Sequence, residues 1–418
     1  MRVFSFCSLL ALLASAPTWG AGPDTCLSCH AKQEDEELVA PAKLAEQDVH
    51  TRQGFSCVDC HGGDATKDDE EEAMDEAKGF IGKPGKAKVI ELCGKCHSDG
   101  AFIGHYNPAL RVDQVALYHT SVHGKRLAEG DKKVAVCADC HGAHGILPVG
   151  DPRSPVYASN VPKTCSHCHS DAAYMQSYRI PTDQFEKYSK SVHGRPLLEK
   201  GDLGAPACND CHGNHGATPP GVSSLANVCG QCHPINNELV NQSPHKAAYE
   251  KLGIAACETC HSHHDIHAPS DEMVGQEPPA VCLRCHGPTQ HPKGFAGAGA
   301  IRASLDTLNN QYRAAELLVQ RAERAGMEVG DAVFDLHEAA GSITKTRSTL
   351  HTFNPARVEE VRMVGTDLAN KASQKALAAL DELEFRRKGL ALSLVVIIGL
   401  GLALFVRIRD IDKRQRRP

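Results

Sequence analysis

The sequence predicts a mainly α-helical protein in three parts: a compact Cys- and His-rich domain of short helices and loops, a helical bundle or coiled hairpin, and one C-terminal transmembrane helix. Three observations predict this. Nine Cys-x-x-Cys-His motifs crowd residues 26 to 286, strand signals are almost absent, and a Cys-free region rich in Ala, Leu, Glu and Arg follows Pro292 and leads into an apolar run.

The motifs are Cys26/Cys29-His30, Cys57/Cys60-His61, Cys93/Cys96-His97, Cys137/Cys140-His141, Cys165/Cys168-His169, Cys208/Cys211-His212, Cys229/Cys232-His233, Cys257/Cys260-His261 and Cys282/Cys285-His286. They use 18 of the 19 cysteines, and the remaining Cys7 lies in the N-terminal apolar run, so no thiol is left for a disulfide framework. In one turn of helix this spacing lets two thiols reach two vinyl groups on one porphyrin edge while the next residue swings its imidazole beneath the iron. It is the attachment signal for c-type haem. Zinc or disulfide pairs with incidental histidines would require nine coincidences in a chain with 24 His in 418 residues, odds on the order of 10⁻¹¹.

On these motifs residues 26 to 286 resemble the multihaem c-type cytochromes of bacterial respiration. The expected cofactor is haem c, nine copies covalently attached, in a compact multihaem c domain. Aromatics are only 5% of the chain, and each haem is allotted few residues, so porphyrins are expected to form the core and the apo-chain is not expected to fold. The formal charge of −6 omits the haem propionates and argues against a nucleic-acid partner.

Arg2 and the apolar residues 3 to 14, too short to span a bilayer, read as a secretory signal that ends near Thr18-Trp19-Gly20. The expected organisation is a signal peptide at 1–20, a nine-haem domain at 21–293, a helical bundle or stalk at 294–388, a transmembrane helix at 389–407 and a basic tail at 408–418.

After the first motif the chain reads as a decaying repeat: an upstream histidine, a motif, a histidine three residues further on, and a second motif. The clearest copies are Tyr118-His119-Thr120-Ser121-Val122-His123-Gly124 before Cys137 and Tyr188-Ser189-Lys190-Ser191-Val192-His193-Gly194 before Cys208. A later copy runs His245, Cys257, His264, Cys282, and an earlier one His50, Cys57, Cys93, with Asp64 where the downstream histidine would be. Between Asp64 and Glu76 eight acidic residues read as a solvated insert, a docking patch or a calcium site.

Seven repeat histidines are the expected distal ligands: His50, His123, His193 and His245 upstream, and His144, His215 and His264 downstream. Two more are expected among His105, His119, His263, His267, His291 and His167, whereas His337 and His351 read as ordinary helix-surface residues. Pairing with individual haems is not legible, although the resemblance implies that a downstream histidine serves a neighbouring haem. With only Met74, Met175 and Met273 in this region, bis-histidine haems of low potential are expected.

Gly294, Gly297 and Gly299 read as a hinge. Beyond it Ile301, Leu305, Leu308, Tyr312, Ala315, Val319 and Ala322 form one apolar stripe ending near Gly326, and Val329, Val333, Leu336, Ala340, Ile343 and Leu350 a second. Asn354-Pro355 starts a third helix. It runs toward the apolar segment Leu390 to Val406, whose 17 residues rise roughly 26 Å and just span a hydrocarbon core. Six basic residues after it against three before it favour a cytoplasmic C-terminus.

The function expected from this pattern is an electron conduit on the periplasmic side of a bacterial inner membrane, single-pass, carrying electrons in anaerobic respiration from a membrane quinol-oxidising subunit to other cytochromes. No catalytic residue is expected under that reading. The competing reading is a reductase or oxidoreductase of small nitrogen or sulfur compounds, since the pattern is also similar to the octahaem reductases and hydroxylamine oxidoreductases. It needs one open-coordinate haem, expected at the second motif or its neighbour because of Asp64.

Overall fold

The computed structural model describes residues 24–219 and 221–415; the expected signal segment, with Cys7 and Trp19, lies outside them. Among the described residues every regular element is a helix. The chain divides into two compact units: one extends to Val228 and includes His264–Ile266, the other comprises Cys229–His263 and the chain from His267. The boundary falls inside the expected 21–293 domain, leaving six motifs in the first unit and three with the long helices in the second.

In the first unit all six motifs end short α-helices: Thr25–His30, Cys57–His61, Lys86–His97, Cys137–His141, Val161–His169 and Cys208–His212. Such short helices are marginal without caps. The acid inside three motifs supplies one: Asp59, Asp139 and Asp210 each accept the backbone N–H of the residue before the first cysteine, Ser56, Val136 and Ala207, at 2.7 Å. Apolar packing is local and thin. Ile90, Tyr118 and Val136 form one small cluster and Val161, Leu197 and Ala207 another.

The repeat Tyr-x-x-Ser-Val-His-Gly folds as a tight corner. Tyr118 donates its hydroxyl to the Ala135 carbonyl and Tyr188 donates to Pro206, both at 2.8 Å, tying each corner to the start of the next motif. Ser121 and Ser191 accept the N–H of Gly124 and Gly194 at 3.0 Å. A Cβ on either glycine would lie about 2 Å from the Tyr118 or Tyr188 carbonyl oxygen, so only glycine fits there.

In the second unit the eighth motif lies on helix Ala256–His261, whereas the seventh and ninth lie on 3₁₀ turns, Leu225–Gln231 and Val281–Arg284. Three long helices follow: Pro292–Arg324, Gly330–Thr349 and Pro355–Gln415. The expected hinge is absent, since Gly294, Gly297 and Gly299 lie within the first of these. Gly294 instead makes room for a ring: a Cβ there would sit 2.0 Å from Nδ1 of His286.

The first predicted stripe is the buried one, with Leu305, Leu308 and Ala315 each 1% exposed or less. The second stripe is buried at Val329 and Ile343 and packs at Leu336, but fails at Val333, which is 43% exposed; Ala332, Asp335, Ala339 and Thr346, not predicted, also face inward. Small side chains decide this: Ala315, Ala322, Ala332, Ala339, Ala369, Ala372 and Ala376 form the interior, which selects close helix approach over bulk. Asn354 caps the third helix by accepting the N–H of Ala356 at 3.0 Å. That helix runs unbroken through residues 390–406, all exposed, and is long and apolar enough to cross a membrane.

Asp271 fastens the loop before the ninth motif to this bundle. Its carboxylate accepts two N–H groups of Arg347 at 2.9 and 2.8 Å and the Asn309 amide at 2.9 Å, and its carbonyl accepts from Arg302. The Arg347 contact holds its pKa below the usual aspartate value. Asp271→Ala is therefore expected to cost about 1–2 kcal/mol, discounted for the exposure of Arg347. Because the folded-state pKa is lowered, the contribution is complete at neutral pH and is lost as pH falls through the ordinary aspartate value near about 3.9 and below. Denaturant titrations of parent and variant should differ at pH 7 and converge in acid.

Candidate functional site

At seven of the nine motifs the histidine faces a second histidine ring. Ring centres lie 5.9 Å apart for His61 and His144, 6.2 Å for His141 and His215, 5.9 Å for His212 and His264, and 6.2 Å for His261 and His351. The same holds for His97 and His50 at 6.0 Å, His169 and His123 at 6.2 Å, and His286 and His245 at 5.7 Å. Nε2 of His286 and Nε2 of His245 are 3.5 Å apart, so these two rings point their free nitrogens at each other.

Two imidazoles sharing one metal at about 2 Å each would have ring centres about 6 Å apart, which is the spacing of these pairs. Where a ring hydrogen bond is resolved, its partner is fixed to match. Nδ1 donates to a backbone carbonyl from His30 to Leu38 at 3.0 Å, from His61 to Gly82 at 2.9 Å and from His351 to Ser348 at 2.9 Å. Nδ1 of His50 lies 3.2 Å from the Asp48 carboxylate. Each bond puts the proton on Nδ1 and leaves the Nε2 lone pair for a metal.

Burial, and then the facing ring, hold His97, His141, His144, His245 and His261 below the ordinary imidazole pKa. His123 and His351 are lowered first by burial as well. Neutral imidazole is the ligating form. Among the described residues no three or more His, Cys, Asp or Glu side chains converge on one point, so the pairs are not fragments of a tetrahedral cage.

None of the eighteen described cysteines forms a disulfide; Cys29, Cys57, Cys60, Cys232 and Cys285 are exposed and the rest are half-buried. The expectation of one uniform helical turn at all nine motifs needs correcting at the second cysteines of the seventh and ninth. The 3₁₀ turns that carry these motifs stop one residue before Cys232 and Cys285, at Gln231 and Arg284, and both thiols are exposed, as Cys29 and Cys60 are inside their α-helices. A 3₁₀ turn winds more tightly than an α-helix and rarely runs long, so these two thiols sit where the chain is already leaving the turn. Cys285 keeps Cys260 and the Tyr249 hydroxyl as neighbours. Cys211 of the sixth motif retains its place inside helix Cys208–His212, half-buried beside Cys208 and the Tyr188 hydroxyl of its own repeat.

The pairs follow a rule. The second, fourth and sixth motifs take the histidine three residues past the motif two places further on: His144, His215 and His264. The third, fifth and ninth take the upstream histidine of their own repeat: His50, His123 and His245. His193 is half-buried at the start of helix Gly194–Lys200, and His233 is exposed at the start of helix Pro234–Asn241.

The eighth motif has no later repeat to draw on and is faced by His351. That residue reads in the sequence as helix surface, but it lies half-buried in the 3₁₀ turn Leu350–Thr352 joining the second and third long helices. Phe353, next in that turn, packs against His245 with ring centres 4.0 Å apart. The signal available in the sequence was its place beside Asn354-Pro355: a histidine in a helix connection is free to reach a neighbour. Of the six supplementary candidates, His291 lies 5.9 Å from His286. His105, His119, His167, His263 and His267 are exposed.

Asp64 has its own role. It accepts the Thr66 N–H and hydroxyl and pairs with Lys78 at 2.9 Å, contacts that lower its pKa, the Thr66 hydroxyl most. The acidic insert is likewise spent partly on caps, Asp69 for helix Glu70–Ala73 and Asp75 for the turn Glu76–Lys78. No family model, curated protein or solved structure matches this chain.

Proposed function

We propose that the chain is a membrane-anchored multihaem c-type cytochrome that conducts electrons along a file of nine haems. The observation that carries this reading is the succession of motif thiols. In the first unit Cys26 neighbours Cys57, Cys60 neighbours Cys96, Cys93 shares a hydrogen bond with Cys137, Cys140 neighbours Cys165, and Cys165 shares one with Cys208. In the second unit Cys229 shares one with Cys257 and Cys260 neighbours Cys282. Each motif therefore places its attachment edge beside the next in chain order, without a gap in either unit.

Bound haem supplies reversible one-electron chemistry. The chain's part is to fix position. Paired cysteines would anchor the porphyrin edge, and at seven motifs the facing imidazoles would both hold the iron and keep substrate from it. Carbonyls and Asp48 hold the ring orientation. The exposed apolar helix 390–406 would anchor the domain in the inner membrane with its basic tail in the cytoplasm, next to a quinol-oxidising subunit. Electrons would pass on to other periplasmic or outer-membrane cytochromes.

Purified full-length protein is expected to hold nine haem c per chain by pyridine haemochrome assay and to be reduced and reoxidised reversibly at low potential. Zinc in place of iron, or haem that stays oxidised under strong reductant, would overturn the proposal.

A further inference from the structure

The second, fourth and sixth motifs draw on a later repeat and the third, fifth and ninth on the upstream histidine of their own repeat. The eighth, with no later repeat, is faced by His351 from the helical hairpin, and the first motif precedes the first repeat and has neither source. The structure agrees. All 24 histidines are among the described residues, and His30, half-buried with Nδ1 donating to Leu38, has no second histidine ring paired with it among the described contacts. The second motif, by contrast, is supplied, since His61 faces His144. By the rule the Asp64 position would serve a motif two places before the second, and residues 1–25 carry none.

We infer that the site at Cys26, Cys29 and His30 has a single protein axial ligand, His30, and an open position that takes small uncharged ligands such as carbon monoxide, nitric oxide or hydroxylamine. This rests on the haem reading. The preference for uncharged ligands follows from the surroundings. Thr25 donates its hydroxyl to the Ala65 and Lys67 carbonyls at 2.8 and 2.6 Å, clamping the motif onto the acidic insert. Asp24 lies beside both Cys26 and Cys57. Residues 24 to 76 hold sixteen Asp and Glu against four Lys and Arg, a field that repels anions such as nitrite and sulfite. Leu27, Ser28 and Cys29 are exposed, so this end of the file of motifs meets solvent. The file of thiols begins at this motif, which makes the open position its terminus.

The test uses the full-length protein with its haem counted first. A count well below nine fails the haem reading itself and overturns the inference with it. With nine present, the oxidised protein is expected to show one high-spin haem by electron paramagnetic and magnetic circular dichroism spectroscopy. The reduced protein should bind one carbon monoxide per chain, and nitrite should leave the oxidised spectrum unchanged. Nine low-spin haems with no carbon monoxide bound would overturn the inference, and a nitrite-induced change would overturn the ligand class. Cys26→Ala/Cys29→Ala should remove the carbon monoxide site, and its persistence would refute the location. Should that variant not accumulate, His144→Ala decides. A rise from one bound carbon monoxide to two excludes the second motif as the open site, as the inference expects, and an unchanged value places the open iron at the second and overturns the inference.

Discussion

Replacing His351 with alanine is expected to convert one low-spin centre to a high-spin one and to create an additional carbon monoxide site, with the helical content unchanged. His351 is the only histidine ring paired with His261 among the described contacts, and its Nδ1 is committed to Ser348. No later repeat stands ready to replace it. The three long helices do not depend on it, because their interior is built from Ala315, Ala339, Ala369 and neighbours well away in sequence. His337→Ala, at an exposed position on the second long helix, should leave the spectrum unaltered. Magnetic circular dichroism on both variants checks this. An unchanged spin count in His351→Ala would remove His351 from the ligand set and leave its turn a purely structural connection.

Expression without haem attachment is expected to leave residues 24–291 unfolded while the helices from Pro292 to about Phe385 persist. The two regions are stabilised by different means. The motif-bearing helices mostly run four to twelve residues and pack through clusters of about three buried side chains, too little to offset the entropy of ordering them. The hairpin buries a continuous Ala-rich seam and adds interhelical pairs such as Asp335 with Lys375 at 2.6 Å and Ser304 with Glu359 at 2.8 Å. Limited proteolysis should release one resistant fragment carrying the long helices. Protection of the Cys-rich region in haem-free protein would show that side chains alone form its core.

Much of this is legible in the sequence because it rests on local rules. Seven of the motif turns follow from two thiols and an imidazole on one helical turn, the third long helix from Asn354-Pro355, and the candidate membrane span from an uninterrupted apolar run. The turns that stop short of Cys232 and Cys285 are not marked by the spacing, which is the same in all nine motifs. The interior glycines mislead, since flexibility and close approach call for the same residue: Gly294 lies within a helix and clears space for the His286 ring. The second bundle stripe misleads for a related reason. Large apolar residues mark a buried face only where there is room for them, and between closely packed helices Ala332 and Ala339 are inside while Val333 and Phe334 are outside.

By itself the sequence determined which residues can attach a cofactor, that helices would present most of them, and that an apolar helix would close the chain. Only the tertiary structure decided which imidazole faces which. A helical turn fixes neighbours three or four residues apart, whereas His61 with His144 or His261 with His351 are joined across 83 and 90 residues by the path of loops and by the turn of the helical hairpin. Ring pairing is a property of that packing, and no local spacing encodes it.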